Sequence, residues 1–268
     1  MNGEIVVITG ASSGLGAAAA RELHRLGARV VPVGRSPDRT AALAAELGVT
    51  GHTVDFTRLD SVHLLARRLL SDHPHIDVLA ANAGGIPATQ RLTVDSIEPI
   101  LQANAIGPWL LTRLLNPALD GARVIATSSR SHTSATLPTA QLDQIATSTG
   151  GLGPHRTYAR AKLVAGILLR ELGRRYPHLT VADFHPGIIA SDFGRYLGPL
   201  GTVLKVAATP VLDSPATAAY RLIHLVQTTD DIDGTYFVRN RPAPGSPLLN
   251  DHDLGGRVWK LAEQLTTA

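Results

Sequence analysis

The chain has no cysteine in 268 residues, so disulfides and thiolate chemistry are excluded from its fold and its reactions. Lysine is nearly as scarce, with Lys162, Lys205 and Lys260 the whole set, and aromatic residues make up only 4%. A net charge of +3, with the basic residues scattered, offers no stripe to a nucleic acid. No apolar run is long enough to span a bilayer, and the first strand-like segment starts at residue 4 with no charged-then-apolar leader, so the expected location is the cytoplasm. His132, His185 and the pair His73 and His75 stand without partner ligands at metal spacing and read as surface or packing residues; no metal is expected. No internal repeat, low-complexity tract or composition shift marks a second domain.

What is present is a hydrophobic content of 44%, arranged as short apolar runs alternating with helical patterns. The strand-like runs are 4–8, 28–33, 51–54, 76–81, 123–127, 180–184 and 234–238. Helical patterns include 17–23, 39–47, 61–70, 104–115 and 159–175. This alternation predicts one α/β domain over 1–268, a doubly wound parallel sheet with right-handed crossovers and helices on both faces. Ligands of such sheets bind beyond the carboxyl ends of the strands. Two stretches break the regularity, 131–156 and 191–211.

Tyr158 and Lys162 are four residues apart on a helical pattern, which puts their side chains side by side on one face. With five tyrosines and three lysines, chance would place such a pair here roughly 0.06 times, so the spacing is not accidental. An ammonium beside a phenol is expected to favour the phenolate and pull the Tyr158 pKa towards working pH. The segment after the first strand, Thr9-Gly10-Ala11-Ser12-Ser13-Gly14-Leu15-Gly16, reads as a glycine turn opening a helix. Gly10 can take the tight turn, Gly14 lets backbone approach a pyrophosphate, and Gly16 lets helix pack on strand, with the helix N-terminus facing the phosphates.

Together with Asn82-Ala83-Gly84, Asn104 and Ser129, these motifs resemble those of the classical short-chain dehydrogenases/reductases, in that family's order and approximate spacing, from residue 4 to about 236. The resemblance implies a Rossmann-like fold and hydride transfer with a nicotinamide dinucleotide. It makes Tyr158 the general acid/base and gives Lys162 both the tyrosine pKa and the nicotinamide ribose hydroxyls. Ser128, Ser129 and Ser131 all follow the strand 123–127, and the resemblance selects Ser129 to steady the substrate oxygen. Asn104, read as the start of the helix 104–115, is implied to hold through its backbone a water that relays protons from Lys162.

Cofactor contacts are implied at Gly10, Ser12, Ser13, Gly14, Leu15 and Gly16, and at Asp55 with Phe56 around the adenine. Asn82, Ala83 and Gly84 flank the adenosine half; Pro186, Gly187, Ile189 and Ser191 form a turn meeting the nicotinamide carboxamide, with Ser191 where the family usually has Thr. At the end of the second strand, Gly34 stands where an NAD site offers a carboxylate to the ribose, while Arg35 and Ser36 can hold a 2′-phosphate, so NADP(H) is expected in preference to NAD(H).

The expected substrate is a mainly apolar small-molecule carbonyl or alcohol, covered by a lid at about 191–212, where Phe193, Tyr196 and Leu197 begin an apolar run broken by glycines and prolines. Self-association through the helices 104–115 and 159–175 is a family habit. Two rival readings are a nucleotide-binding module without catalysis, which would keep the glycine turn and lose the Tyr/Lys/Ser set, and an extended-branch lyase or epimerase, which would need more chain after Phe237.

Overall fold

Strands rich in Val, Ile and Ala with no polar alternation can be buried on both faces, and that is where the sequence puts them. The computed structural model describes residues 1–87, 91–149, 152–187 and 213–267. Its strands are β1 (Ile5–Thr9), β2 (Arg29–Gly34), β3 (His52–Thr53), β4 (Val78–Ala81), β5 (Arg123–Thr127), β6 (Thr180–His185), β7 (Thr235–Val238) and β8 (Arg241–Pro242). They form one eight-stranded sheet in the order β3-β2-β1-β4-β5-β6-β7-β8, parallel except for β8. The order reverses between β1 and β4, the switch point at which ligands bind in such sheets.

Helices cover both faces, as expected of a doubly wound single domain. On one side lie α1 (Gly14–Arg25), α2 (Pro37–Leu47) and α8 (Pro215–Gln227), packed against Val6, Ile8, Val30, Ala182 and Phe184. On the other lie α3 (Leu59–Asp72), the continuous segment α4 (Pro99–Leu101), a π-helical turn (Gln102–Ile106) and α5 (Gly107–Leu115), then α7 (Pro154–Arg175) and α9 (His252–Thr266). The stretch 131–156 is less irregular than its composition suggests, since it holds a 3-10 helix (Arg130–Ser134), α6 (Leu142–Thr147) and the start of α7.

The sequence reading had no counterpart for α8, β8 or α9. Helix α9 presents Leu254, Val258, Trp259 and Ala262 to the core. The Trp259 ring meets Trp109 of α5 edge-on at 5.1 Å, and the Arg175 guanidinium of α7 lies 4.4 Å from its centroid. The chain's own C-terminal helix thus packs against α7 and reaches Trp109 of α5. No described helix is long and apolar enough to cross a membrane.

Candidate active site

Thr9 ends β1, and its buried hydroxyl receives the backbone N–H groups of Asn82 and Ala83, each at 3.0 Å. The Asn82 amide donates to the Thr9 carbonyl at 2.9 Å and accepts from the Thr127 hydroxyl at 2.9 Å. One side chain thus ties together the ends of β1, β4 and β5. The glycine turn nests against it. Gly10 has φ +71°, and a Cβ there would stand 2.9 Å from the Asn82 amide nitrogen; one on Gly16 would stand 2.7 Å from the same atom. Ser13 caps α1 in position only, its hydroxyl making no capping bond, and no acidic residue lies in the first turn. The first N–H groups of α1, from Gly14, Leu15 and Gly16, therefore face outwards without helical acceptors, an arrangement suited to a pyrophosphate.

At the end of β2, a Cβ on Gly34 would stand 2.7 Å from Ser12 Cβ and would collide with Thr40 Oγ1. No carboxylate side chain fits at this position beside Ser12 and Thr40. Arg35 is exposed, and Ser36 caps α2 without using its hydroxyl. Past β3, Asp55 Oδ1 accepts from the N–H of Thr57 (2.9 Å) and its hydroxyl (2.7 Å). It does not cap α3; Asp95, from a distant loop, accepts from Leu59 N at 2.9 Å. The Phe56 ring is packed in the core against Gly107, so only its backbone is offered to a ligand.

Asn104 differs from the sequence reading. The helix starts at Pro99, not at 104, with Glu98 accepting from Leu101 N at 2.7 Å as its cap. Asn104 is buried in the π-helical turn, where Gly107 N reaches back to Gln102 O. Its side chain binds Gly85 N (2.9 Å), Gly85 O (2.7 Å) and Ile100 O (2.8 Å). Pro108 has no N–H, so the Asn104 carbonyl lacks the donor four residues on that an α-helix supplies.

Lys162 is 4% exposed, and its Nζ donates to Thr127 O at 2.8 Å. Nζ lies 5.7 Å from the Tyr158 ring centroid. A Cβ on Gly84 would stand 2.7 Å from Asn104 Oδ1 and 3.1 Å from Lys162 Nζ, so these three residues share one corner. Burial brings the Lys162 pKa down to about 8, against an opposing pull from Asp183. The phenol of Tyr158 goes the other way: burial pushes it above its ordinary value. The expected lowering is thus corrected, because here the ammonium is engaged by a backbone carbonyl and desolvation of the phenolate dominates.

Among the serine candidates, Ser128 is buried, with its N–H bonded to Phe184 O. Ser129 Oγ accepts from Ser131 Oγ at 2.9 Å and from Ser131 N at 3.3 Å, which spends Ser131 as a brace and leaves the Ser129 proton to donate. His132, behind it, bonds Ser129 O and meets the Tyr236 ring edge-on at 4.7 Å. After β6, Gly187 has φ +96°, with Asp213 and Arg221 of α8 where a Cβ would go. Arg221 pairs with Asp213 at 2.9 Å and donates to Pro186 O, fastening this turn. Arg221 and His132 were missed as site-supporting residues by the sequence reading. Ile189, Ser191 and the proposed lid at 191–212 lie outside the described residues. Among the described residues no cluster of histidine and acidic groups could hold a metal ion.

The sequence profile described as short chain dehydrogenase matches residues 4–139. The chain is 34% identical to "Putative daunorubicin C-13 ketoreductase DnrU" of Streptomyces sp. (strain C5), over 96% of this chain and 91% of that protein. It is 30% identical to retinol dehydrogenase 14 of Mus musculus, over 98% of this chain and 86% of that one. A crystal structure of a protein from Mycobacterium Paratuberculosis is 28% identical and superposes with a TM-score of 0.79, over 100% of this chain and 94% of that chain. With these matches and its Tyr158–Lys162, Ser129 and glycine-turn arrangement, the chain belongs to the short-chain dehydrogenase/reductase family of oxidoreductases.

Proposed function

We propose that the protein is an NADP(H)-dependent oxidoreductase that interconverts a carbonyl and an alcohol on a mainly apolar small molecule. The observation that carries this reading is the half-buried Tyr158 beside the buried Lys162 at the carboxyl edge of the sheet, with the Ser129 hydroxyl left to donate. A neutral, desolvated phenol is a proton donor, so Tyr158 delivers its proton to the oxygen of a carbonyl as negative charge develops there. Ser129 donates a hydrogen bond to the same oxygen. Lys162, charged below about pH 8, favours the phenolate left behind.

The dinucleotide is held by the chain's own groups. The N–H groups around Gly10, Ser12, Ser13, Gly14, Leu15 and Gly16 take the pyrophosphate. Asp55, Phe56 and the Asn82-Ala83-Gly84 turn border the adenosine; Lys162, Pro186 and Gly187 border the nicotinamide end, to which the family resemblance also assigns Ile189 and Ser191. Arg35 and Ser36 take the 2′-phosphate, and the crowding at Gly34 removes the carboxylate that would repel it. Once bound, the nicotinamide supplies or accepts the hydride. Retinol and daunorubicin, for which relatives are named, carry large apolar systems and support the substrate class. Tyr158→Phe tests the reading: dinucleotide binding stays near normal while carbonyl reduction falls by about a hundredfold or more. Turnover within a factor of a few of wild type would refute it.

A further inference from the structure

A buried ammonium needs more than one neutral acceptor to stay charged. The bond from Lys162 Nζ to Thr127 O supplies one such acceptor. Beneath the same helix, Asp183 of β6 is 1% exposed. It stands in register with Ala126 of β5, next to the residue that receives Nζ, and with Tyr236 of β7 on its other side. Strands in a sheet lie about 5 Å apart, so this carboxylate sits one strand from the Lys162 anchor. Arg170, two turns along α7 from Lys162, binds Asp183 Oδ1 through Nη2 at 2.6 Å. That ion pair is single. Asp183 Oδ2 and the Nε and Nη1 of Arg170 are buried without hydrogen-bond partners among the described residues. A carboxylate serving Arg170 alone would be expected to use both oxygens in a two-pronged pair.

The other groups around Lys162 do not replace it. Asn104 on the π-helical turn and Thr127 on β5 carry no charge. Tyr158 on α7 and Tyr236 on β7 are phenols pushed up by burial, and His185 on β6 is brought down to about 4 by burial and nearby arginines. The 3-10 helix brings Arg130 and His132, and α7 brings Arg170, none of which is an anion. Among the described groups, Asp183 is the carboxylate whose charge acts on Lys162.

We infer that Asp183 is a positioning residue for the Tyr158–Lys162 pair: its buried carboxylate, shared with Arg170, keeps the Lys162 ammonium charged. The consequence for catalysis rests on the function proposed above, whereas the charge relation does not.

The scarcity of lysine makes the test direct. Protein carrying 13C at the lysine Cε gives three lysine signals, and the one lost in Lys162→Met belongs to Lys162. Asp183→Asn should lower the midpoint of that signal by about one pH unit or more, with the other two unmoved and Asp183→Glu restoring it. Arg170→Met, which frees Asp183 for Lys162, should raise the midpoint, and it carries the test if Asp183→Asn does not fold. A Lys162 midpoint that stays within about 0.3 unit of wild type in both Asp183→Asn and Arg170→Met, or in Arg170→Met alone where Asp183→Asn does not fold, would overturn the inference. The alkaline limb of carbonyl reduction should move to lower pH with the midpoint in Asp183→Asn. A moved midpoint with an unmoved limb would uphold Asp183 and overturn the proton transfer assigned to Tyr158 and Lys162.

Discussion

Lys162→Met keeps an unbranched stem of similar volume and removes a buried charge, and its effect on stability follows from one number. The Lys162 pKa is about 8 in the folded protein against an ordinary 10.5. At about 1.4 kcal/mol per unit, keeping this lysine charged at neutral pH costs the folded state about 3 kcal/mol. The unfolded chain holds the proton up to about pH 10.5, the folded chain only to about 8, so between these values the unfolded state binds more protons and wild-type stability rises with pH. The methionine variant lacks this contribution, and the remaining groups titrate alike in both proteins and cancel in the difference. Wild type should therefore gain about 2.5 kcal/mol on the variant between pH 7 and about pH 10, after starting below it by a margin that the lost Thr127 hydrogen bond reduces. Urea unfolding of both proteins without dinucleotide, at constant ionic strength and several pH values, measures the gap. A gap constant within about 0.5 kcal/mol, or one that moves in favour of the variant, would show that burial does not perturb Lys162.

Arg35→Ala should weaken NADPH binding by one to two orders of magnitude, about 1.5–3 kcal/mol, and leave NADH binding nearly unchanged; equal losses in fluorescence titrations would contradict the 2′-phosphate role. Thr9→Val removes the acceptor of two N–H groups and should cost about 2 kcal/mol in urea unfolding, with Thr9→Ser close to wild type. A valine variant as stable as wild type would mean that the Asn82–Ala83 turn does not depend on that hydroxyl. Arg221→Met releases the Pro186 carbonyl and should raise the dinucleotide Kd by about tenfold without moving the pH dependence of turnover. An unchanged Kd would remove Arg221 from the site.

The chemistry-bearing pattern was legible because its spacing is local: Tyr158 with Lys162 along one helix, and the glycines along one turn. The strand runs were legible for the same reason, being short and β-branched. The place of Asn104 is not legible in the sequence, because the helix runs through Pro108 by widening to a π-helical turn, which no propensity signals. Glu98 with Pro99 was the missed start signal. Asp183 was also visible, as one acid inside an apolar parallel strand, a position that demands a buried counter-charge. Arg221 had no local signal, since its partners lie eight and 35 residues away. Helix α9 is readable from Leu254, Val258 and Ala262 at steps of four, but it lies beyond the motifs that carry the family resemblance, which end near Tyr236.

The crowding at Gly34 would make the dinucleotide preference proposed above hard to change by single mutational steps. An acidic residue there must displace Ser12 from the phosphate turn and Thr40 from α2, whose hydroxyl also bonds Ser36 O at 2.7 Å. On that proposal, the substitution that would invite the other cofactor also damages the turn assigned to both, and the path between the two states is expected to pass through proteins that bind neither well. Crossing it requires smaller residues at 12 and 40 first, each of which loosens the existing site with no gain. An engineering campaign that scans Gly34 alone would meet a barren neighbourhood, while a combined library at 12, 34 and 40 would contain the productive triples.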